Sequence, residues 1–199
     1  MKKIFGAALL ISSSLVMADT LPTYITECAD CHGDKGVSSE SDVPTIAGAS
    51  EDFIKDTLAA YKDGTRIAIK SKFRAGDTTR AETDMKAITK DFTEEQMDEI
   101  AKYYSKQSFV AAKQSFDEGL AEVGKKVHEM RCKKCHEDGG GSADDDAGIL
   151  AGQWTPYLQH AFKLFRSGDR YMEEKMKVKI DALDDKEVEA LLNFYASQQ

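Results

Sequence analysis

The chain has 199 residues, with 27 Lys+Arg against 35 Asp+Glu and a formal net charge of −8. That length suits one large domain or two small ones, and 41% hydrophobic residues are enough for a core, which excludes a wholly disordered chain. No apolar run reaches the ~20 residues of a membrane helix, and the acidic balance argues against nucleic acid as a partner, because phosphate binding needs a basic face.

Residues 1–18 read as a secretory signal peptide. Lys2 and Lys3 give the positive start, residues 4–16 the apolar stretch, and Val16-Met17-Ala18 a small-residue cleavage site before Asp19. The segment has no acidic residue, so losing Lys2 and Lys3 takes the net charge from −8 to −10. The mature chain is therefore expected in the periplasm. In an oxidising compartment paired cysteines usually read as disulfides, the first alternative that the cysteine pattern has to overcome.

The cysteines occur only as Cys28-Ala29-Asp30-Cys31-His32 and Cys132-Lys133-Lys134-Cys135-His136, 104 positions apart. The same offset of 104 maps Gly36, Gly48, Phe53, Tyr61, Gly64 and Arg66 onto Gly140, Gly152, Tyr157, Phe165, Gly168 and Arg170. Beyond Arg66 the first half carries thirteen extra residues, and an offset of 91 then maps Met85, Phe92 and Tyr104 onto Met176, Leu183 and Tyr195. A repeat of this size means two copies of one domain rather than a solenoid. The expected organisation is a first domain at 19–107, a linker at 108–117 and a second domain at 118–199.

Both copies read as all-α. Met97, Ile100, Ala101 and Tyr104 recur at helical spacing, as do Val188, Leu191, Leu192 and Tyr195. Thr93 with Gln96 and Asp184 with Glu187 are capping boxes that start these two terminal helices. Residues 51–62 and 156–166 form a middle helix in each half, stopped by Gly64 and Gly168. Residues 118–131 form a helix leading into the second cysteine pair, whose first-half counterpart at 20–27 is cut short. Residues 139–146 read as an acidic loop, and no segment alternates like a strand.

Cys-x-x-Cys-His is the attachment sequence for c-type haem. Two thiols at that spacing add to the two vinyl groups of one porphyrin, and the adjoining histidine supplies the proximal iron ligand. A disulfide or redox pair does not require the histidine, and a zinc site drawn from both pairs would span a gap far longer than the usual ~15–20 residues. The expectation is two covalently bound haem c groups, held by Cys28 and Cys31 and by Cys132 and Cys135, with His32 and His136 on the irons. A sixth ligand is Met or His. Of the remaining histidines, His128 sits on the entering helix where it packs, and His160 lies on an exposed part of the middle helix. Methionine fits both halves: Met85 and Met176 each stand seven residues before Phe92 and Leu183. Met172 is the rival of Met176, which the register of the repeat favours.

Each half resembles a class I cytochrome c, and the tandem resembles the diheme subunit of flavocytochrome c sulfide dehydrogenase. The likeness is carried by Ala112-Lys113-Gln114-Ser115-Phe116-Asp117, the run Ile149-Leu150-Ala151-Gly152-Gln153-Trp154-Thr155-Pro156-Tyr157-Leu158, and the ending Phe194-Tyr195-Ala196-Ser197-Gln198-Gln199. In the class I pattern Pro44 matches the proline whose carbonyl accepts the proximal histidine N–H; the second half has Gly148 there. The resemblance implies an electron-transfer subunit with no catalytic residue of its own. FAD is expected only on a partner sulfide dehydrogenase flavoprotein, with a downstream acceptor receiving the electrons. This chain carries no Gly-x-Gly-x-x-Gly fingerprint for a dinucleotide. The alternative is a free diheme cytochrome c shuttling electrons to a terminal oxidase. Trp154, Tyr157, Arg66 and Arg170 stand between two roles, propionate hydrogen bonding and core packing.

Haem stain should stay with the protein band on a denaturing gel, and Cys132→Ala with Cys135→Ala should halve it. Extraction of the colour by acidic acetone would show that attachment is not covalent.

Overall fold

The computed structural model describes residues 21–144 and 146–199, so the segment read as a signal peptide lies outside the described residues. Nine α-helices and two short 3-10 turns are present among the described residues, with no strand beyond two isolated bridges. The first domain runs through α1 (Thr23–Thr26), α2 (Ala29–His32), α3 (Glu51–Asp63), α4 (Met85–Thr89) and α5 (Glu94–Ser105). The second runs through α6 (Glu118–Arg131), α7 (Thr155–Ser167), α8 (Glu174–Asp181) and α9 (Asp185–Ala196).

The terminal helices start where the sequence places them. Thr93 and Gln96 close a reciprocal capping box at α5, as do Asp184 and Glu187 at α9. Met97, Ile100, Ala101 and Tyr104 of α5 are buried, and their spacing turns one stripe of the helix inward. With Ile25, Ile54 and Leu58 they form the first core. Val127, Leu158, Ile180, Leu183, Leu191, Leu192, Phe194 and Tyr195 form the second. Helices α3 and α7 both end in a left-handed glycine, Gly64 and Gly168, a conformation that costs a residue with a Cβ.

The repeat seen in the sequence is a repeat of hydrogen bonds. Ile46 N–H donates to Gly36 O and Leu150 N–H to Gly140 O, both at 2.8 Å. Gly48 N–H reaches Tyr104 O at 2.9 Å, and Gly152 N–H reaches Tyr195 O at 2.8 Å. Each loop after the cysteine pair is thereby tied to its terminal helix.

The two domains are fastened to one another rather than strung on a loose linker. Gln153, 3% exposed, donates from its side-chain amide to Thr45 O and accepts from Thr45 N–H, both at 3.0 Å. Trp154 Nε1–H donates to Ser38 O at 3.0 Å. The connecting segment is held as well, through Ala112 N–H to Gly152 O at 2.7 Å and Thr155 N–H to Gln114 Oε1 at 2.9 Å. Gly148 lies under the ring of Phe53, and a Cβ there would stand 2.8 Å from it.

The tightest helix crossing is α6 on α9. A Cβ at Gly124 would stand 2.0 Å from Ala190 O, a backbone atom that has no rotamer to retreat into. Gly124→Ala should therefore cost about 1–3 kcal/mol or more through overpacking, read as a lowered urea midpoint at unchanged haem content. An unchanged midpoint would mean that the crossing is looser than described.

Candidate functional site

All four cysteines are free thiols. Cys28 is the N-cap of α2 and Cys31 lies within it, so one helical turn presents both sulfurs and then His32. Burial pushes the Cys28 thiol up to about 11, which keeps it protonated at neutral pH. A redox or nucleophilic Cys-x-x-Cys pair needs the opposite, a lowered thiol. In the second domain the pair follows the C-terminus of α6, with Cys132 half-buried and Cys135 exposed.

His32 is buried, and its Nδ1 lies 2.8 Å from Pro44 O. A carbonyl only accepts, so Nδ1 carries the proton and the lone pair is left on Nε2. Burial also holds the ring below its ordinary pKa, in the neutral form that ligates iron. The proline expectation is met in geometry.

Met85 opens α4 and packs against the first core, as does Cys28. Met172 and Met176 both pack against the second core, as does Cys132. The buried Thr89 and Ile180 lie four residues after Met85 and Met176, so α4 and α8 share the register that equates these two methionines. His128 is 1% exposed, with Nδ1 3.1 Å from the Tyr195 hydroxyl and its ring against Phe194 and Tyr195. It is a packing residue. His160, expected on an exposed stretch, is half-buried, with Nε2 enclosed and unpartnered among the described residues.

The joint holds what sequence reasoning left open. Arg66 and Arg170 pair through their backbones in an isolated antiparallel bridge, each placed by the glycine that ends its middle helix. The Arg66 guanidinium lies over the Tyr61 ring at 4.7 Å and that of Arg170 over Phe165 at 4.3 Å. Arg66 Nη2 donates to the Tyr157 hydroxyl at 3.2 Å. Burial raises the Tyr157 phenol, but the two guanidiniums lower it by more, leaving it below the ordinary tyrosine value. Neither arginine has an ion pair among the described residues, and the buried Arg66 Nε has no hydrogen-bond partner. A cleft of about 380 Å³ opens there, lined by Phe53, Thr57, Arg66, Arg170 and Tyr171 among others. Arg66 is buried with an unpaired donor and Arg170 half-buried; Asp56 and Asp146 also line the cleft, and haem propionates would have the right charge to sit beside the two cations. Trp154 is differently employed, since its N–H is spent on Ser38. The spacing Gly-x-Arg after each middle helix was the available signal for the arginine pair.

Free paired thiols, a neutral histidine with a fixed tautomer and a cationic joint fit covalent haem. Residues 22–107 match the cytochrome c family, and residues 119–194 match the family described as cytochrome c oxidase, cbb3-type, subunit III. The chain is thus a pair of tandem class I cytochrome c domains, the class of protein that carries covalent haem c. Among known proteins it is similar to the thiosulfate dehydrogenase electron acceptor of Thiomonas intermedia, 23% identical over 75% of this chain and 67% of that protein. It is 25% identical to cytochrome c4 of Pseudomonas aeruginosa, over 76% of this chain and 72% of that protein. The reduced cytochrome c4 structure from Pseudomonas stutzeri shares the fold at a TM-score of 0.68 and 23% identity, covering 86% of this chain and 93% of that one. The chain is a diheme cytochrome c, an electron-transfer protein.

Thioether ligation favours reduced iron and raises the potential. Met176→Ala should lower one of the two potentials substantially, on the order of 100 mV or more at 59 mV per tenfold change, while Met172→Ala leaves both nearly unchanged. Met85→Ala should act on the other haem. The reverse result for the two second-domain methionines would reassign that ligand.

Proposed function

We propose that this chain is the electron-accepting subunit of a periplasmic dehydrogenase acting on a sulfur compound, exported by residues 1–18. Cys28 and Cys31 hold one haem c and Cys132 and Cys135 the other, with His32 and Met85, and His136 and Met176, as axial ligands. Bound there, the haems supply two one-electron centres. The protein contributes the rest. Pro44 fixes the proximal ring of the first domain, the cores exclude water, and Arg66, Arg170 and Tyr157 hold the propionates at the joint.

The observation that carries this reading is the rigid joint. Gln153, Trp154 and the arginine pair fasten two haem domains face to face, an arrangement suited to passing one electron inward and a second after it. Likeness to the flavocytochrome subunit supports sulfide as the substrate, oxidised at the FAD of a partner flavoprotein. A second reading rests on the thiosulfate dehydrogenase electron acceptor among the relatives, which supports thiosulfate oxidised on a different partner. A free shuttle to a terminal oxidase is the third, in keeping with the cytochrome c4 relatives.

Purification from the native source separates these readings. Flavin absorbance travelling with the haem, and haem reduction on adding sulfide, is the expected result. Reduction by thiosulfate without flavin would assign the second partner. A haem protein that emerges alone and is reduced by neither compound would overturn the subunit reading in favour of the shuttle.

A further inference from the structure

The two halves differ most at the outer face of their cysteine turns. In the first domain the extra residues after Arg66 fold back as a hairpin, closed by Ser71 N–H to Thr83 O at 2.7 Å and Thr83 N–H to Ser71 O at 3.0 Å. It lies across the cysteine turn. Arg74 N–H and Ala75 N–H donate to Asp30 O at 2.7 and 3.0 Å, and the Arg80 guanidinium pairs with the Asp30 carboxylate. Lys72 O stands 3.8 Å from Cys31 Sγ, and Arg74 also pairs with Glu40 and Asp42 at 2.9 and 2.8 Å. Arg80 further stacks on Phe73 at 3.5 Å. The acidic groups around this turn are thus answered by the hairpin's own arginines, and the face is covered.

The second domain has no such insert, and Cys135 is exposed. The outer stripe of α6 leads to it through Val123, Lys126 and Met130, continued by Lys133 and Lys134. Val123 is 48% and Met130 69% exposed, although both are apolar. Lys126 and Lys134 have no ion pair among the described residues; Lys133 pairs with Glu129 at 3.0 Å. At the 104-residue offset the places of Lys126, Met130, Lys133 and Lys134 are taken by Pro22, Thr26, Ala29 and Asp30. The repeat therefore preserves the motif and inverts the surface. Lysines near a helix C-terminus gain something from its dipole, but that does not account for a bare methionine and valine among them. An apolar centre with a charged rim is the anatomy of a protein interface.

We propose that the Cys135 face of the second domain is the docking port for an acidic electron-transfer protein, and that the hairpin closes the equivalent port on the first domain. The occupant is assigned by charge: on a chain whose net charge is −8, Lys126 and Lys134, without ion pairs among the described residues and beside the exposed Met130, would attract an acidic surface to this face. The proposal rests on the diheme reading, whose own failure would appear separately as a haem count other than two per chain.

The test is stopped-flow oxidation of the reduced holoprotein by hexacyanoferrate(III), a trianion, at low ionic strength. Lys126→Glu with Lys134→Glu should slow one of the two haem phases by about tenfold or more, an effect lost at high salt. The charge-matched pair Lys106→Glu, at the exposed end of α5, with Lys113→Glu, on the connecting segment, should leave that phase within about twofold, given screening over ~10 Å. Poly-L-glutamate should slow the same phase in the wild type and not in the lysine variant. Equal slowing of both phases, or an equal effect of the control pair, would reduce the effect to net charge and overturn the proposal. So would a concentration-dependent dimer broken by the lysine variant, which assigns the face to a second copy. Competition by phosphatidylglycerol vesicles but not by poly-L-glutamate would assign it to a membrane surface instead.

Discussion

Two guanidinium groups at the joint, Arg66 buried and Arg170 half-buried and neither in an ion pair among the described residues, set the terms for the whole molecule. Buried charges without partners cost several kcal/mol each in real proteins, so the buried Arg66, with Arg170 beside it, favours an anion at this place. Everything else at the joint is arranged around that demand. The middle helices end in left-handed glycines that turn each arginine inward, aromatic rings cover the outer faces of the guanidiniums, and the Tyr157 hydroxyl accepts one N–H. Haem propionates would complete the cluster, and the cofactors would then be part of the interface between the domains as well as the centre of each.

That dependence explains why the domains are joined so firmly. A hinge that opened would expose the apolar ring faces and leave the cations without their anions. Gln153 reads the backbone at Thr45 as a neighbouring strand would, with one bond given and one received. Gly148 is small because Phe53 of the other domain occupies the space where its side chain would be. The second domain thus lacks the first domain's proline for a reason that belongs to the interface. Contacts of this kind hold two redox centres at one separation, which a flexible tether does not do.

Duplication also freed one copy to differ. The first domain carries a hairpin over its cysteine turn that the second does not have. The second has the long α6, whose inner side carries Ala121, Gly124, Val127 and His128 and whose outer side carries Lys126 and the exposed Met130. His128 and Tyr195 meet in the second core, whereas Tyr104 bonds Ile25 O in the first. The same helix pair is thus pinned by two different hydrogen bonds.

The sequence by itself determined the two domains, the helical class, both capping boxes and the spacing of cysteine, histidine and methionine in each half. Those properties are local or periodic, and a linear chain displays them directly. The exposure expected for His160 was wrong because it depends on what the far domain places against α7. The choice between propionate binding and packing for Arg66, Arg170, Tyr157 and Trp154 was likewise undecidable from spacing. Only the tertiary structure separates Trp154, whose N–H is spent on Ser38, from the arginines, whose charge is left unanswered. It also showed the thirteen extra residues as a cover over one cysteine turn. Such facts arise where segments far apart in sequence meet, and burial and charge compensation exist only after they have met.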